Sequence, residues 1–158
     1  MGDYTSAAPW SEASVRGCKR FLERVADLPD IVSGSGHTPE LESAFHKTIR
    51  KVSSDIEDMK FNTAIASLMS LINSINECGK LTTDELKIFI KLLCPFAPHL
   101  CEEIWSGLGE NTLLSLSGWP EYDESKTVDS TVEIAIQICG KFKGTVVLPA
   151  SANKDEVI

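Results

Sequence analysis

The stretch LLCPFAPHLCEEIW, residues 92–105, decides how the helical part of this chain is arranged. Pro95 and Pro98 lack a backbone N–H, and each disfavours helical geometry in the residue that precedes it. Prolines at this spacing predict that one helix ends near Cys94. The ring of Pro98 suits the first turn of a helix, so a new helix is predicted from there to about Leu108. The stretch is therefore interpreted as a break between two consecutive helices.

The same stretch contains side chains of the kinds that bind metal ions, namely Cys94, His99, Cys101 and Glu102. An α-helix turns by about 100° per residue, so His99 and Cys101 point about 200° apart and do not readily hold one ion. Cys94 lies across the predicted break, and the paired C-x-x-C spacing that is typical of zinc sites is absent. We expect no metal here, and we expect His99 to pack or to form a hydrogen bond at the junction. A metal-binding bundle around His99 is the alternative.

Helical periodicity extends upstream of the break. Apolar residues at spacings of three and four predict helices over residues 11–28, 39–59, 63–78 and 82–94. In the first of these helices, the side chains predicted to face inward are Val15, Cys18, Leu22 and Val25.

Helix-start and helix-stop patterns support these boundaries. Thr38 stands before a proline and is predicted to cap the second helix with its hydroxyl, and Asn62 is predicted to cap the third. Gly79 is placed to end the third helix. Thr82 and Glu85, three residues apart, predict a capping box at the start of the fourth.

The periodicity changes near the carboxyl end. Apolar residues at 132, 134, 136 and 138 alternate with more polar ones, which predicts a half-buried strand. Gly140-Lys141 is predicted to form a turn, and Phe142 to Leu148 to return as a second strand. The last residues, NKDEVI, are typical of a helix start. An isolated hairpin is marginal in water, so we expect this segment to open a second domain.

The predicted fold is mainly α: an antiparallel bundle of about five helices over residues 1–125, followed by a short β-hairpin from a truncated α/β domain over residues 126–158. Apolar residues make up 42% of the chain and charged residues 24%, which is typical of a globular domain. No apolar run approaches the roughly 18 residues that span a bilayer, and the start MGDYTSAAPW does not have the pattern of a secretory signal. We therefore expect a cytoplasmic protein with reduced cysteines.

Basic residues cluster locally although the net charge is −8. That net charge argues against a protein that binds nucleic acid over its whole surface, because phosphate binding needs positive charge. One interpretation of the clusters is a solvated surface with acidic ion partners; the other is contact with phosphates. The clustered residues are Arg16, Lys19, Arg20 and Arg24 in the first helix, Lys47, Arg50 and Lys51 in the second, and, as weaker candidates, Lys141 and Lys143 in the hairpin.

Patterns of catalytic sites are missing from the sequence. There is no G-x-S-x-G, and His37 and His46 have no evident catalytic partners. The SGSG stretch at 33–36 is not followed by G-K-[ST], so it is not a phosphate-binding P-loop. We expect neither catalytic residues nor a cofactor site in this chain.

Ordered motifs link the chain to a known family. They are KFNTAIASLMSLIN (60–73), PFAPHLCEEIW (95–105), GWPEYDE (118–124) and QICGKFKGTVVLP (137–149). In this order they resemble the carboxyl-terminal part of bacterial leucyl-tRNA synthetases, which are class I enzymes. The second motif also resembles valyl- and isoleucyl-tRNA synthetases, and the hairpin motif favours the leucyl family.

This resemblance implies a helical bundle of the type called the anticodon-binding domain. In that family the complete enzyme joins leucine to tRNA(Leu) with ATP and magnesium, the bundle supports the tRNA along the inside of its L, and the small C-terminal domain contacts its elbow. The H-I-G-H-type and K-M-S-K-S-type signatures of the ATP site, and the editing domain, are absent from this sequence. The resemblance thus implies part of a larger enzyme that is inactive by itself.

The implied partners are tRNA(Leu) and the other synthetase domains, with no membrane or DNA contact. On this interpretation the clustered basic residues contact the tRNA backbone. The alternative from a different class is a stand-alone, non-enzymatic helical module that binds protein.

Overall fold

The structure is a computed structural model, which describes residues 7, 11–127, 131–138 and 141–149. Its regular elements are α1 (Glu12–Ala26), α2 (Pro39–Glu57), α3 (Phe61–Cys78), α4 (Thr83–Leu93), α5 (Pro98–Gly107), β1 (Thr131–Ile138) and β2 (Lys141–Pro149). Short 3-10 turns occupy Leu28–Ile31, Leu114–Leu116 and Glu124–Thr127. The expectation of a mainly α fold is confirmed.

The break between α4 and α5 falls where the prolines predict it. α4 ends at Leu93, whose carbonyl oxygen accepts hydrogen bonds from the backbone N–H groups of Phe96 (2.9 Å) and Ala97 (3.1 Å). Pro98 then stands at the start of α5, where its missing N–H costs nothing. The ring of Phe96 meets Phe61 edge to face, with 6.0 Å between the ring centroids, so the break itself is packed.

The hydrophobic core lies between α2, α3 and α4. α2 and α3 form the main packed pair, joined by the short connection at 58–60, and α4 packs against both. Each helix contributes buried apolar side chains at the predicted spacings. They include Phe45, Ile49 and Val52 from α2, Leu68, Ile72 and Ile75 from α3, and Leu86, Phe89 and Ile90 from α4.

The inward face of α1 differs from the predicted one. Phe21 and Val25 are buried, whereas Val15 is 42% and Leu22 is 36% exposed. Val25 belongs to both the predicted and the observed face, and the predicted Cys18 is half-buried beside α3. The reason is that α1 contacts α3 and the Leu28–Ile31 turn with its carboxyl-terminal half. Periodicity shows that a helix has an apolar side, but not how much of its length is covered.

The capping box at α4 is confirmed, and its glutamate has a second role. Glu85 is fully buried and accepts hydrogen bonds from the backbone N–H of Thr82 (2.9 Å), the N–H of Thr38 (2.6 Å) and the hydroxyl of Thr38 (2.9 Å). The prediction that the Thr38 hydroxyl caps α2 is therefore wrong, because that hydroxyl donates to Glu85 instead. This carboxylate holds the loop before α2 against the start of α4.

The ends of α3 follow the sequence only in part. Gly79 ends the helix in a left-handed conformation (φ 67°), as predicted. The helix begins at Phe61, however, with Lys60 at the cap position and no side-chain cap, so the prediction of Asn62 as cap is wrong. The backbone N–H of Lys60 donates to the carbonyl oxygen of Asp55 (2.7 Å), and this tight turn starts the helix earlier.

β1 and β2 pair antiparallel, from Thr131 opposite Pro149 to Ile138 opposite Lys141. The register shifts between Ile136 and Gln137, which places one extra residue on β2 at that point. Gly140 of the predicted turn and the predicted helix start at 153–158 lie outside the described residues.

Candidate nucleic-acid interface

The basic residues of α1 form one continuous stripe. Arg16, Lys19 and Arg20 line a single shallow groove on the surface of this helix. Arg20 and Arg24 then line the adjoining groove towards α3, which also includes Asn73. We call Arg16, Lys19, Arg20 and Arg24 the α1 stripe. The spacing of four residues therefore brings these side chains together as the sequence predicts.

The α1 stripe keeps most of its positive charge available. The ion pairs Arg16–Glu12 and Lys19–Glu23 are both 3.5 Å long, and all the side chains in them are at least 58% exposed. Such pairs are worth a few tenths of a kcal/mol. Arg24 donates to the neutral amide oxygen of Asn73 at 2.8 Å, and no carboxylate among the described residues pairs with it.

Arg20 lies between Arg16 and Arg24 in the stripe. Its side chain is exposed, and no carboxylate pairs with it in the part of the chain that the structure describes. A phosphate oxygen could therefore reach this guanidinium without displacing a described carboxylate.

The basic residues of α2 are in a different situation. Arg50 forms an ion pair with Glu124, and Lys51 Nζ lies 2.6 Å from Oδ1 of the buried Asp55. Lys47 is partly buried. α1 packs on α3 and on the Leu28–Ile31 turn, whereas α2 packs mainly on α3 and on the Glu124–Thr127 turn. The basic residues of α1 and those of α2 therefore lie on helices with different packing partners.

The carboxylate that faces Arg50 belongs to a segment that lacks the apolar periodicity of the helices. Residues 119–127, here called the strap, lie along the polar side of α2. The indole N–H of Trp119 donates to Ser53 Oγ (2.8 Å), and the backbone N–H of Asp123 donates to His46 Nδ1 (3.0 Å). Lys126 Nζ reaches Glu42 Oε1 at 2.6 Å.

Sequence reasoning missed this docking. Glu42, His46 and Arg50 recur every four residues on α2, and that spacing was the one available signal of a shared face. Their partners lie more than 70 positions away in the chain, and no local pattern pairs residues at that distance.

Burial and nearby charges shift the pKa values of the side chains where the strap meets α2. Burial, followed by the nearby Lys126 charge, lowers the pKa of His46 below its ordinary value of 6.5. The hydrogen bond from Lys126 lowers the pKa of Glu42, and the same contact raises the pKa of Lys126. His46 therefore stays neutral at pH 7 and can accept the Asp123 N–H.

Cys94, His99, Cys101 and Glu102 do not form a metal site among the described residues. Cys101 is buried, which raises its pKa to about 12, and burial also raises the pKa of Cys94. Glu102 accepts the backbone N–H groups of Leu114 (2.8 Å) and Ser115 (3.0 Å). Across the described ranges, no group of three or more His, Cys, Asp or Glu side chains is arranged to hold an ion.

His99 is exposed and its side chain forms no hydrogen bond with the described residues, so the expectation that it packs or forms a hydrogen bond at the junction is wrong. It lies in the first turn of α5, where the chain has just left the core, and this turn presents it to solvent.

The remaining predicted site residues are Lys141 and Lys143. Both belong to β2, and Lys143 is at the register shift. Their side chains lie outside what the structure describes. Among the described helices, none combines the length and the apolar character needed to cross a bilayer.

Comparison with known proteins identifies the class of protein to which the chain belongs. A family model described as the anticodon-binding domain of tRNA ligase matches residues 39–158, and the chain belongs to this family. The particular relatives are leucine–tRNA ligases. One, from Alkaliphilus oremlandii (strain OhILAs), is 46% identical over 158 residues, with 99% of this chain and 20% of that protein covered. Another, from Bdellovibrio bacteriovorus (strain ATCC 15356 / DSM 50701 / NCIMB 9529 / HD100), is 38% identical over 166 residues, with 100% and 21% covered.

A solved structure agrees with these relatives. It is described as the ternary complex of Agrobacterium radiobacter K84 agnB2 LeuRS, tRNA and LeuAMS, and it matches with a TM-score of 0.75 and 26% identity. The match covers 99% of this chain and 22% of that one. The resemblance to leucyl-tRNA synthetases is thus confirmed, and the chain spans about a fifth of the length of the curated relatives it matches.

Proposed function

We propose that this chain is the tRNA-supporting helical domain of a leucine–tRNA ligase, together with the opening of its C-terminal domain. The bundle occupies residues 1–125 and the second domain begins in residues 126–158. Similarity to leucine–tRNA ligases over the whole chain is the observation that carries this proposal. In the complete, cytoplasmic enzyme, other domains join leucine to tRNA(Leu) with ATP and magnesium, and this chain alone is inactive.

The α1 stripe is the main contact with the tRNA backbone in this proposal. Arginine forks bind phosphate oxygens with two parallel hydrogen bonds, and such contacts set register without reading sequence. The stripe's internal ion pairs are long and exposed, so phosphate replaces them at little cost. By holding the body of the tRNA, the bundle positions the acceptor end at a remote active site, and positioning accelerates a reaction without touching its chemistry.

The basic residues of α2 and the hairpin have secondary roles. RNA contact at Arg50 or Lys51 requires displacement of Glu124 or Asp55, so these cations contribute less than the α1 stripe. Lys141 and Lys143 are the candidate contacts of the second domain.

Binding of tRNA(Leu) as a function of salt tests the α1 stripe. We expect Arg20→Ala to weaken binding by about 3- to 10-fold and to reduce the slope of log K against log salt by about 1, because one phosphate contact is lost. Lys80→Ala is the matched control, since it removes the same charge at an exposed site outside the stripe. Equal affinities and slopes for Arg20→Ala and wild type would reduce the stripe to a solvated surface.

The amino-acid assignment has its own test. The complete protein is expected to catalyse leucine-dependent exchange between ATP and pyrophosphate, and this chain alone is expected to be inactive. Exchange that depends on valine or isoleucine would move the assignment to those synthetases.

A further inference from the structure

We propose that the strap is a positioning element: Glu42, His46 and Arg50 hold it on α2 and thereby fix where the chain leaves the bundle for the β-hairpin. We further infer that this hold requires neutral His46. A fixed exit point would also restrict where Lys141 and Lys143 can contact RNA, and this consequence rests on the proposed function. The docking of the strap on α2 does not depend on that function.

The geometry shows anchoring along the whole strap. Its amino end is held at Ser53 by the Trp119 indole, its middle at His46, and its carboxyl end at Glu42 by Lys126. Arg50 adds an ion pair to Glu124 and a 3.4 Å hydrogen bond to the Thr127 hydroxyl. These anchors lie on successive turns of one helix, so a single rigid surface holds the strap.

The docked strap limits the position of the hairpin. Thr127 is its last residue, and β1 begins at Thr131. At no more than about 3.5 Å per residue, the connection between them reaches at most about 14 Å. While Arg50 and Glu42 hold the carboxyl end of the strap, the start of β1 is confined to that radius. Release of the strap lengthens the free connection to include residues from 119 onwards.

His46 makes the hold sensitive to protonation. Its Nδ1 accepts the Asp123 N–H, and a protonated imidazole has no acceptor. The charged groups that face it are Glu42 on its own helix, Asp123 and Lys126 on the strap, and His37 in the preceding loop.

The direction of the pH effect follows from these surroundings. Burial and then Lys126 lower the pKa of His46 in the docked state below 6.5, so the released state binds the proton more readily. Docking is therefore at full strength above pH 6.5 and weakens as pH falls below that value.

Nuclear magnetic resonance of the whole 158-residue chain tests both parts of the proposal. The first readout is exchange of the Asp123 amide, corrected for intrinsic rates. We expect it to be about tenfold faster in His46→Ala than in wild type at pH 7.5, because the acceptor is lost. His46→Asn keeps an acceptor that does not titrate, so protection is retained and no longer falls between pH 7.5 and 5.5.

The second readout is relaxation of the hairpin amides. In wild type at pH 7.5 we expect β1 and β2 to share the rotational correlation time of α2–α4, and in His46→Ala combined with Arg50→Ala we expect a shorter one. His99→Ala is the matched control, since it removes an exposed histidine that makes none of the strap contacts. Unchanged amide exchange in α3 and α4 verifies that each variant is folded.

Several results would overturn the proposal. Independent tumbling of the hairpin in wild type, or unchanged hairpin relaxation after the double substitution, removes the positioning role. The same pH dependence in His46→Asn as in wild type removes the role of His46. No RNA is present in these measurements, so their failure leaves the proposed tRNA contact intact, and a failure of tRNA binding leaves the strap result intact.

Discussion

Single buried side chains decide how the connecting loops are held. Glu85 is fully buried and links the start of α4 to Thr38 through both the backbone and the hydroxyl of that residue. A buried carboxylate is tolerated only where donors surround it, and here three donors do so. Its energetic importance thus comes from the groups that would be left unpaired without it.

We expect Glu85→Ala to lower the free energy of unfolding by about 3 kcal/mol, because it leaves the buried donors of Thr38 and the partly buried N–H of Thr82 without an acceptor. Urea denaturation measures this loss. Asp84→Ala is the control, since Asp84 is exposed and accepts one hydrogen bond, from Gly36. Equal losses in the two variants would show that the Glu85 contacts are not the source of the effect.

Glu102 is a second carboxylate that holds a loop, and its contribution to stability depends on pH. The backbone N–H groups of Leu114 and Ser115 lower its pKa below the ordinary 4.5. The contribution of this carboxylate is therefore fully present above pH 4.5 and is lost as pH falls below it. We expect the stability difference between wild type and Glu102→Gln to be constant near neutral pH and to shrink below pH 4.5. A difference that stays constant down to pH 3 in urea titrations would contradict this.

At the scale of elements, α1 shows the limit of periodicity. The predicted inward face shares Val25 with the observed one, but it includes the exposed Val15 and Leu22 and leaves out the buried Phe21. Both sets have helical spacing. The choice between them depends on where α3 crosses α1, and that crossing is not encoded in the sequence of α1 alone.

Substitutions in α1 can test the observed face. Phe21→Ala is expected to cost about 3 kcal/mol of unfolding free energy, because it leaves a cavity in the buried cluster that also contains Val25 and Leu28. Val15→Ala is expected to cost less than about 0.5 kcal/mol, since Val15 is 42% exposed. Thermal or urea unfolding compares the two, and a larger loss for Val15→Ala would restore the face predicted from the sequence.

The strap shows what a segment without periodicity can do. Residues 119–127 have no regular pattern, but their polar groups match a row of side chains on α2. The same contacts pair one cation of α2 with a carboxylate: Arg50 faces Glu124, while Arg20 in α1 has no described carboxylate partner. Docking of an irregular segment thus directs the proposed RNA contact towards α1.

For the whole molecule, the described core lies within the helices and the turns that follow them. The buried apolar cluster runs from Phe21 to Leu114. We therefore expect a chain that ends at Thr127 to unfold cooperatively, with a free energy within about 1 kcal/mol of the full chain. Circular dichroism in urea measures this. A loss of cooperative unfolding would contradict the domain boundary proposed near residue 125.

Much of the architecture was predictable from local chemistry. The prolines at 95 and 98 end one helix and start the next, Gly79 supplies a left-handed stop, and Thr82 with Glu85 supplies a capping box. Each of these effects acts within a few residues, so the sequence contains all the information that it needs. The ordered motifs likewise identified the family, because each motif is a run of consecutive residues that can be recognised without the tertiary structure.

What the amino-acid sequence determined by itself is therefore the set of helices, their boundaries to within a few residues, and the family. Only the tertiary structure decided which side of α1 is buried and that the Thr38 hydroxyl donates to Glu85. It also decided that Arg50 pairs with Glu124, whereas the described ion pairs of the α1 stripe are long and exposed. The physical reason is the separation along the chain over which each interaction acts. Capping and backbone geometry act between neighbours, whereas burial and charge pairing depend on residues that folding brings together from distant parts of the chain.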